Sequence, residues 1–288
     1  MVISSFNSSN TIGDTLRSIV TNDFPRADYE IIVVDGGSTD NTVDVCREFS
    51  VKPLLCPKKG WASALNMGIN HAKGDIICIT DSDVIVPGDW LRRIWEFFQN
   101  HPGIDGVGGP MLAPMSSKND IQRLTAEIFV EDQGFPTGLT RSEYLKMWGG
   151  GLICGPNYAY RRETLLHSGG FNESMFSYSD VDLCWRLIKK GKRLMFNPDI
   201  KVVHLGFPST VGGVFRQQFK WGRGRGEVNK LHRSDKAMGD LKEEVYSFYK
   251  IVKMVLVLWL PTCLSKKKQL LRFVHYVSFF LGRLSGRG

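Results

Sequence analysis

Short apolar runs and amphipathic stretches take turns along the first hundred residues. Val2–Ser5 comes first, and Thr11–Asn22 then places Ile12, Leu16 and Ile19 on one helical face. Glu30–Val34 ends in a continuous Ile-Ile-Val-Val run, as suits a strand buried on both faces. The pattern next predicts a helix over Thr39–Phe49, a strand over Lys52–Cys56 and a helix over Trp61–Ala72. A strand over Asp75–Thr80 and a helix over Gly88–Asn100 complete the series. Alternation at this spacing predicts βαβ units, and so an α/β fold with a mostly parallel sheet flanked by helices.

Residues 102–160 break the rhythm. Gly106–Pro110 and Gly149-Gly150-Gly151 punctuate them, with a helix predicted near Ile121–Val130. Loops this long beside a sheet tend to carry function. Ser179–Lys190 is predicted as a helix with Val181, Cys184, Trp185 and Ile188 on one face. Arg193–His204 reads as one or two strands around Asn197-Pro198.

The tail has another pattern. Val245, Phe248, Val252, Val255, Leu256 and Trp259 share a helical face, while Lys242, Lys250 and Lys253 lie off it. After Pro261 and Lys266-Lys267-Lys268, a second helix is predicted, with a stripe of Leu270, Phe273, Val274, Val277, Phe280, Leu281 and Leu284. Neither run reaches the roughly 20 apolar residues that span a bilayer. Basic amphipathic helices with Trp and Phe at the boundary suit an interfacial position. A short inserted hairpin and packing on a soluble partner are the alternatives. The expected division is a main domain over 1–235 and a basic amphipathic helical tail over 236–288.

Composition sharpens this. With 42% hydrophobic and 23% charged residues the chain is a foldable globular protein, not a disordered or collagen-like one. Its six cysteines form no CxxC pair, which argues against a zinc ribbon or disulfide framework and fits a reducing compartment. Met1 runs straight into Val2-Ile3, with no basic, apolar leader. The net charge of +8 conceals a split: residues 1–185 hold 15 Lys+Arg against 23 Asp+Glu, and residues 186–288 hold 22 against 6. A basic half of this size calls for an anionic partner: nucleic acid, a phospholipid surface or a phosphorylated substrate.

Candidate chemistry gathers at predicted strand ends. Asp81-Ser82-Asp83 follows an apolar strand, where open parallel sheets place their ligands, and two such carboxylates can hold a divalent metal against a diphosphate. A solvated turn is the bland alternative. Val34–Asp40 is a second strand end, with glycines that admit a ligand and Ser38 or Thr39 as expected helix caps. It is not GxGxxG, so dinucleotide binding is set aside. Ser179-Asp180-Val181-Asp182 places acids in a first helical turn, which complements the macrodipole and suggests a capping arrangement. His204 ends an apolar strand. Gln217–Arg225 packs Lys220, Trp221, Arg223 and Arg225 together, suited to phosphate contact and ring stacking or to a solvated basic helix.

Taken in order, these segments resemble the family 2 glycosyltransferases, inverting enzymes of the GT-A fold. EIIVVDGGSTDNT at Glu30–Thr42 is similar to the family's EIIVVDDGSTDGT, and Lys59–Asp83 resembles the segment leading into its metal-binding DxD. Asn157–Arg186, with YRR, GGF and SYSDVDLCWRL, resembles the acceptor-side stretch with the ED motif. Gln217-Phe219-Lys220-Trp221 resembles QxxRW with lysine for arginine, and the likeness covers roughly residues 1–226. It implies a GT-A domain with a C-terminal helical appendage, transferring a sugar from a nucleoside-diphosphate sugar to an acceptor hydroxyl. It implies Asp180 as general base, Asp83 and His204 as ligands of Mn²⁺ or Mg²⁺, and Ser4, Asp35, Lys59, Asp81, Lys220 and Trp221 at the donor.

Three departures stand out: Ser179 replaces the first acid of ED, Gly36 the second acid of VVDDG, and Lys220 gives up arginine's bidentate fork. None removes a group the reaction needs. Polysaccharide or lipid-linked glycan synthesis is expected, with a glycan or lipid-linked acceptor and no nucleic acid. The basic tail would hold the chain, peripherally or shallowly inserted, on an anionic cytoplasmic leaflet. A nucleotidyltransferase on a similar sheet and a non-catalytic nucleotide-sugar or nucleic-acid binding module are the competing readings.

Overall fold

The computed structural model describes residues 1–112, 114, 119–133, 153, 155–232 and 266–286. These fall into two compact units, one drawn from residues 1–112, 145–174 and 180–206, the other from 113–144, 175–179 and 207–288. The 235/236 boundary and the first tail helix lie outside the described residues.

The first unit is built on a seven-stranded sheet of order β3-β2-β1-β4-β8-β6-β9. Its strands are β1 (Val2–Ser5), β2 (Ile32–Asp35), β3 (Leu54–Leu55), β4 (Ile76–Asp81), β6 (Gly106–Gly108), β8 (Tyr158–Arg161) and β9 (Leu194–Phe196). β3, β2, β1 and β4 run parallel, as their helical connections require. Those connections are α1 (Ile12–Val20), α2 (Thr42–Glu48) and α3 (Trp61–His71), with α4 (Trp90–Asn100) following β4. Ile12, Leu16 and Ile19 are all buried, as the periodicity of α1 predicts.

β8 lies antiparallel between β4 and β6. It was not predicted, because Tyr-Ala-Tyr-Arg carries too little alternation, yet Tyr158 and Tyr160 are buried in the main core beside Ile77, Ile79 and Leu183. Asn157, just before it, ties distant segments together. Its carboxamide oxygen accepts from Trp90 Nε1 (3.0 Å) and its nitrogen donates to Ile200 O (2.7 Å) and Pro110 O (3.2 Å).

A small second sheet, β5-β10-β7, holds β5 (Val84–Ile85), β7 (Met111–Leu112) and β10 (Val202–His204). The predicted Arg193–His204 segment is thus two strands in different sheets. α6 (Arg162–Ser168) and α7 (Ser179–Lys189) complete this part of the chain, and Val181, Cys184 and Trp185 of α7 are buried as predicted.

One start is corrected. α2 begins at Thr42, not Thr39, and neither Ser38 nor Thr39 caps it. Asp40 accepts from the amide (3.1 Å) and hydroxyl (2.5 Å) of Thr42, while the Ser38 hydroxyl is committed to Asp35.

The second unit contains α5 (Asp120–Gln133), α8 (Val211–Leu231) and α9 (Lys266–Ser285). Leu124, Ile128, Val214 and Leu271 form its apolar cluster. Lys268 pairs with Glu127 at 2.9 Å and Lys267 with Asp120 at 3.4 Å. Among the described residues, no helix is long and apolar enough to cross a membrane.

Candidate active site

β4 carries an apolar run through the sheet centre and ends at Asp81, beside Ser4 of β1. The chain turns through Ser82 and Asp83 into β5, whose Val84 pairs with His204 of β10. That register brings three ligand atoms from Asp81, Asp83 and His204 within 4.8 Å of one another. His204 Nε2 lies 3.3 Å from Asp83 Oδ1. Trp61 Nε1, at the start of α3, donates to Asp81 Oδ1 at 3.0 Å.

Burial, then the charge of Asp83, pushes the Asp81 carboxyl up to about 6, against the Trp61 hydrogen bond and the His204 charge. For His204, burial disfavours the charged ring, but the hydrogen bond and charge of Asp83 leave its affinity for a proton raised. The two carboxylates repel each other, as the raised value of Asp81 shows, and a cation between them relieves that repulsion. The oxygen and nitrogen donors of the cluster fit Mn²⁺ or Mg²⁺.

Gly206 makes room for this cluster: a Cβ there would overlap Asp83 Oδ2 and crowd His204 Nε2. Asp83 has a short side chain and can yield only by leaving its position. Gly206→Ala is therefore expected to weaken Mn²⁺ binding about tenfold or more with the fold retained, measured by calorimetric titration beside thermal unfolding. Wild-type affinity in the variant would mean that the carboxylate does not need this space.

Asp180 opens α7. Its carboxylate accepts from Gly155 N (2.8 Å) and Val181 N (2.9 Å), which hold its orientation. Burial nevertheless leaves its proton affinity raised, and its charge adds to the upward push on Asp81. Arg186, two turns along the helix, anchors α7 by donating to Asp182 Oδ2 (2.8 Å), Ser168 O (2.9 Å) and Gly170 O (2.6 Å). The base candidate thus sits on a braced element, as positioning requires.

The remaining predicted residues are placed less uniformly. Asp35 ends β2 and is buried, accepting from Gly37 N (3.0 Å), Ser38 N (2.9 Å) and Ser38 Oγ (2.5 Å). Lys59 is exposed before α3. Its neighbour Lys58 pairs with Glu173 at 2.5 Å, a carboxylate also held by Asn66 and Ser63. Lys220 and Trp221 belong to α8 of the second unit, where Lys220 Nζ lies 5.2 Å from the Phe176 ring centroid. Trp61, Gly206 and Gly155 were not singled out from sequence. Trp61 alone carried a signal, as an aromatic residue opening a helix after Gly60.

The profile described as "Glycosyl transferase family 2" matches residues 1–167, more than half of the chain. The chain belongs to this family. Among its relatives, the poly-beta-1,6-N-acetyl-D-glucosamine synthase of Staphylococcus aureus (strain MSSA476) is 25% identical over 233 residues, covering 79% of this chain and 54% of that protein. The synthase of the same name from Staphylococcus epidermidis matches to the same extent. The chain spans about half the length of these curated relatives.

Two solved structures share the fold. The mannosyltransferase PcManGT from Pyrobaculum calidifontis, in complex with GDP-Man and Mn2+, has a TM-score of 0.65 at 19% identity, covering 99% of this chain and 85% of its own. S. aureus TarS 1-349, in complex with UDP-GlcNAc, has a TM-score of 0.58 at 16% identity, covering 99% and 90%. The family 2 chain thus has the expected GT-A architecture, a mostly parallel sheet with flanking helices and helices at its C-terminal end.

Proposed function

We propose that this family 2 chain transfers a sugar from a nucleoside-diphosphate sugar to an acceptor hydroxyl with inversion, dependent on Mn²⁺ or Mg²⁺. The convergence of Asp81, Asp83 and His204 at the end of the central strand carries this reading. Asp83 and His204 would hold the cation, with Asp81 beside it. When bound, the cation offsets negative charge on the departing nucleoside diphosphate. Asp180 would take the proton of the acceptor hydroxyl as its oxygen attacks the anomeric carbon. Gly155 N and Val181 N aim that carboxylate, and the start of α7 favours its ionised form. Asp35 and Ser4 would lie against the nucleoside, and Lys59, Lys220 and Trp221 would serve the donor's diphosphate and sugar. Because one base suffices, the paired carboxylates of a hydrolase are not needed.

The relatives' names and the complexed neighbours suggest the acceptor and donor classes. A growing polysaccharide or lipid-linked glycan is the acceptor we propose, with UDP-GlcNAc and GDP-mannose the first donors to try. The test is a panel of nucleoside-diphosphate sugars with Mn²⁺ or Mg²⁺, following nucleoside diphosphate release. Release that requires the cation and is inverting by NMR of the product supports the reading. Pyrophosphate release, or no binding of any nucleotide in the panel, overturns it.

A further inference from the structure

Helix α9 is packed inside out. Its sequence forms a clean apolar stripe, and such a stripe ordinarily faces the protein core. Here the buried residues of α9 include Lys268, Gln269, Ser278, Gly282 and Arg283, with Leu271 the large apolar member. Leu270, Leu281 and Leu284 are left 50%, 45% and 49% exposed. Phe273, Val277 and Phe280, at helical spacing with these leucines, are only partly covered.

The cause is a glycine-mediated contact with α8. A Cβ on Gly222 would overlap Phe279 O, one on Gly226 would overlap Arg283 O, and one on Gly282 would overlap Phe219 O. Gly286 is equally tight against Arg223 O. Gly222 and Gly226 on α8, and Gly282 on α9 with Gly286 just past its end, form two pairs at four-residue spacing that let the backbones meet through the small-residue faces. Leu271 and Val274 still pack on the apolar cluster, but most of the large apolar side chains of α9 then point away. Val211 and Phe215 of α8 are exposed as well, at 39% and 41%.

Charge identifies what covers this face. Of the ten lysines and arginines on α8 and α9, Arg225, Lys268 and Arg283 are buried, and Lys267 and Arg223 pair with Asp120 and Glu227, so the exposed remainder sets the charge of this face. Lys266 falls on the arc of the apolar stripe, and Arg216 and Lys230 are exposed on α8. An apolar strip set in a cationic surrounding matches an anionic phospholipid surface, where leucines enter the acyl boundary and lysines remain among the headgroups. With no described helix able to cross a bilayer, this one would lie along it.

We infer that the exposed face of α9, around Leu270, Leu281 and Leu284, docks the chain flat on an anionic membrane surface. The inference stands apart from the proposed sugar transfer, because vesicle binding needs neither donor nor cation. The test is co-sedimentation of the full chain with phosphatidylglycerol–phosphatidylcholine vesicles and with phosphatidylcholine alone, for wild type, Leu281→Gln/Leu284→Gln and Leu270→Gln. Leu166→Gln, an exposed leucine of the first unit, is the control. Wild type and control are expected to bind the phosphatidylglycerol vesicles, less tightly at high salt. Each leucine variant should lose about tenfold or more in partitioning, with unchanged circular dichroism. No binding by wild type at low salt overturns the inference, and so does equal binding by the leucine variants. A wild-type dimer that the leucine variants convert to monomer, without vesicle binding, overturns it in favour of a second copy of the chain.

Discussion

Asp180→Asn is expected to lower kcat by about 10²–10⁴-fold, the range in which a positioned general base contributes. The substitution keeps the size of the side chain and its place at the start of α7 while removing its ability to accept a proton. Donor affinity should change little, so the loss should fall on kcat, and a nucleotide-binding titration alongside steady-state kinetics separates the two. The folded protein should survive. Asparagine avoids burying a charge but offers only one oxygen to the two backbone amides that now donate to the carboxylate, so these effects oppose each other. A variant with near-normal kcat would show that Asp180 does not accept the proton.

The same residue sets the acid side of the pH profile. Burial raises its proton affinity, so it becomes protonated at a higher pH than an exposed aspartate would. Turnover should therefore fall as the pH is lowered through that raised value, earlier than for an ordinary carboxylate. The sign for stability is opposite. A carboxyl that binds its proton more tightly in the folded state favours folding at low pH, and this contribution fades as the pH rises and the group ionises. The base is thus held in its active form at a cost to the fold, as is common where chemistry needs a buried charge.

How much of this was legible depended on distance along the chain. α1, α3 and α4 are readable because each has one buried face, and β2 and β4 because each holds a continuous apolar run. Asp81, Asp83, Asp180 and His204 stand out one by one, but the meeting of Asp81, Asp83 and His204 depends on the pairing of His204 with Val84, which no local pattern encodes. β6 and β8 escaped because Gly-Val-Gly and Tyr-Ala-Tyr-Arg do not alternate by polarity, although the sheet buries them between β4 and β9. Gly206 matters through the space it leaves, and an absent side chain gives no periodic signal.

The stripe on α9 shows a further limit. Hydrophobic periodicity identified the helix and its apolar face correctly. Its direction was fixed by glycines on the other side, at a contact whose partner is more than fifty residues away in sequence.

Removing Asp83 should have the second large effect. Asp83→Ala takes one oxygen donor from the three-residue cluster, and Mn²⁺ affinity is expected to drop about 100-fold, with activity lost at ordinary cation concentrations. Trp61 offers a readout that does not depend on turnover, because its indole donates to Asp81 Oδ1. Cation entry beside Asp81 should change its fluorescence in wild type, and Trp61→Phe should remove that part of the signal. The variant should also relax the electrostatics of the cation-free protein. Asp81 is pushed from 3.8 to about 6 first by burial and next by the charge of Asp83, so without Asp83 it should ionise at a lower pH. In EDTA-treated wild type, the stabilisation from this raised value is complete below the unfolded value of about 3.8 and is lost as the pH rises through about 6. Added Mn²⁺ should restore stability above that range in wild type and much less in Asp83→Ala. If the two proteins respond alike to the cation, in fluorescence and in thermal unfolding, Asp83 is not a ligand and the cation must be held by other residues.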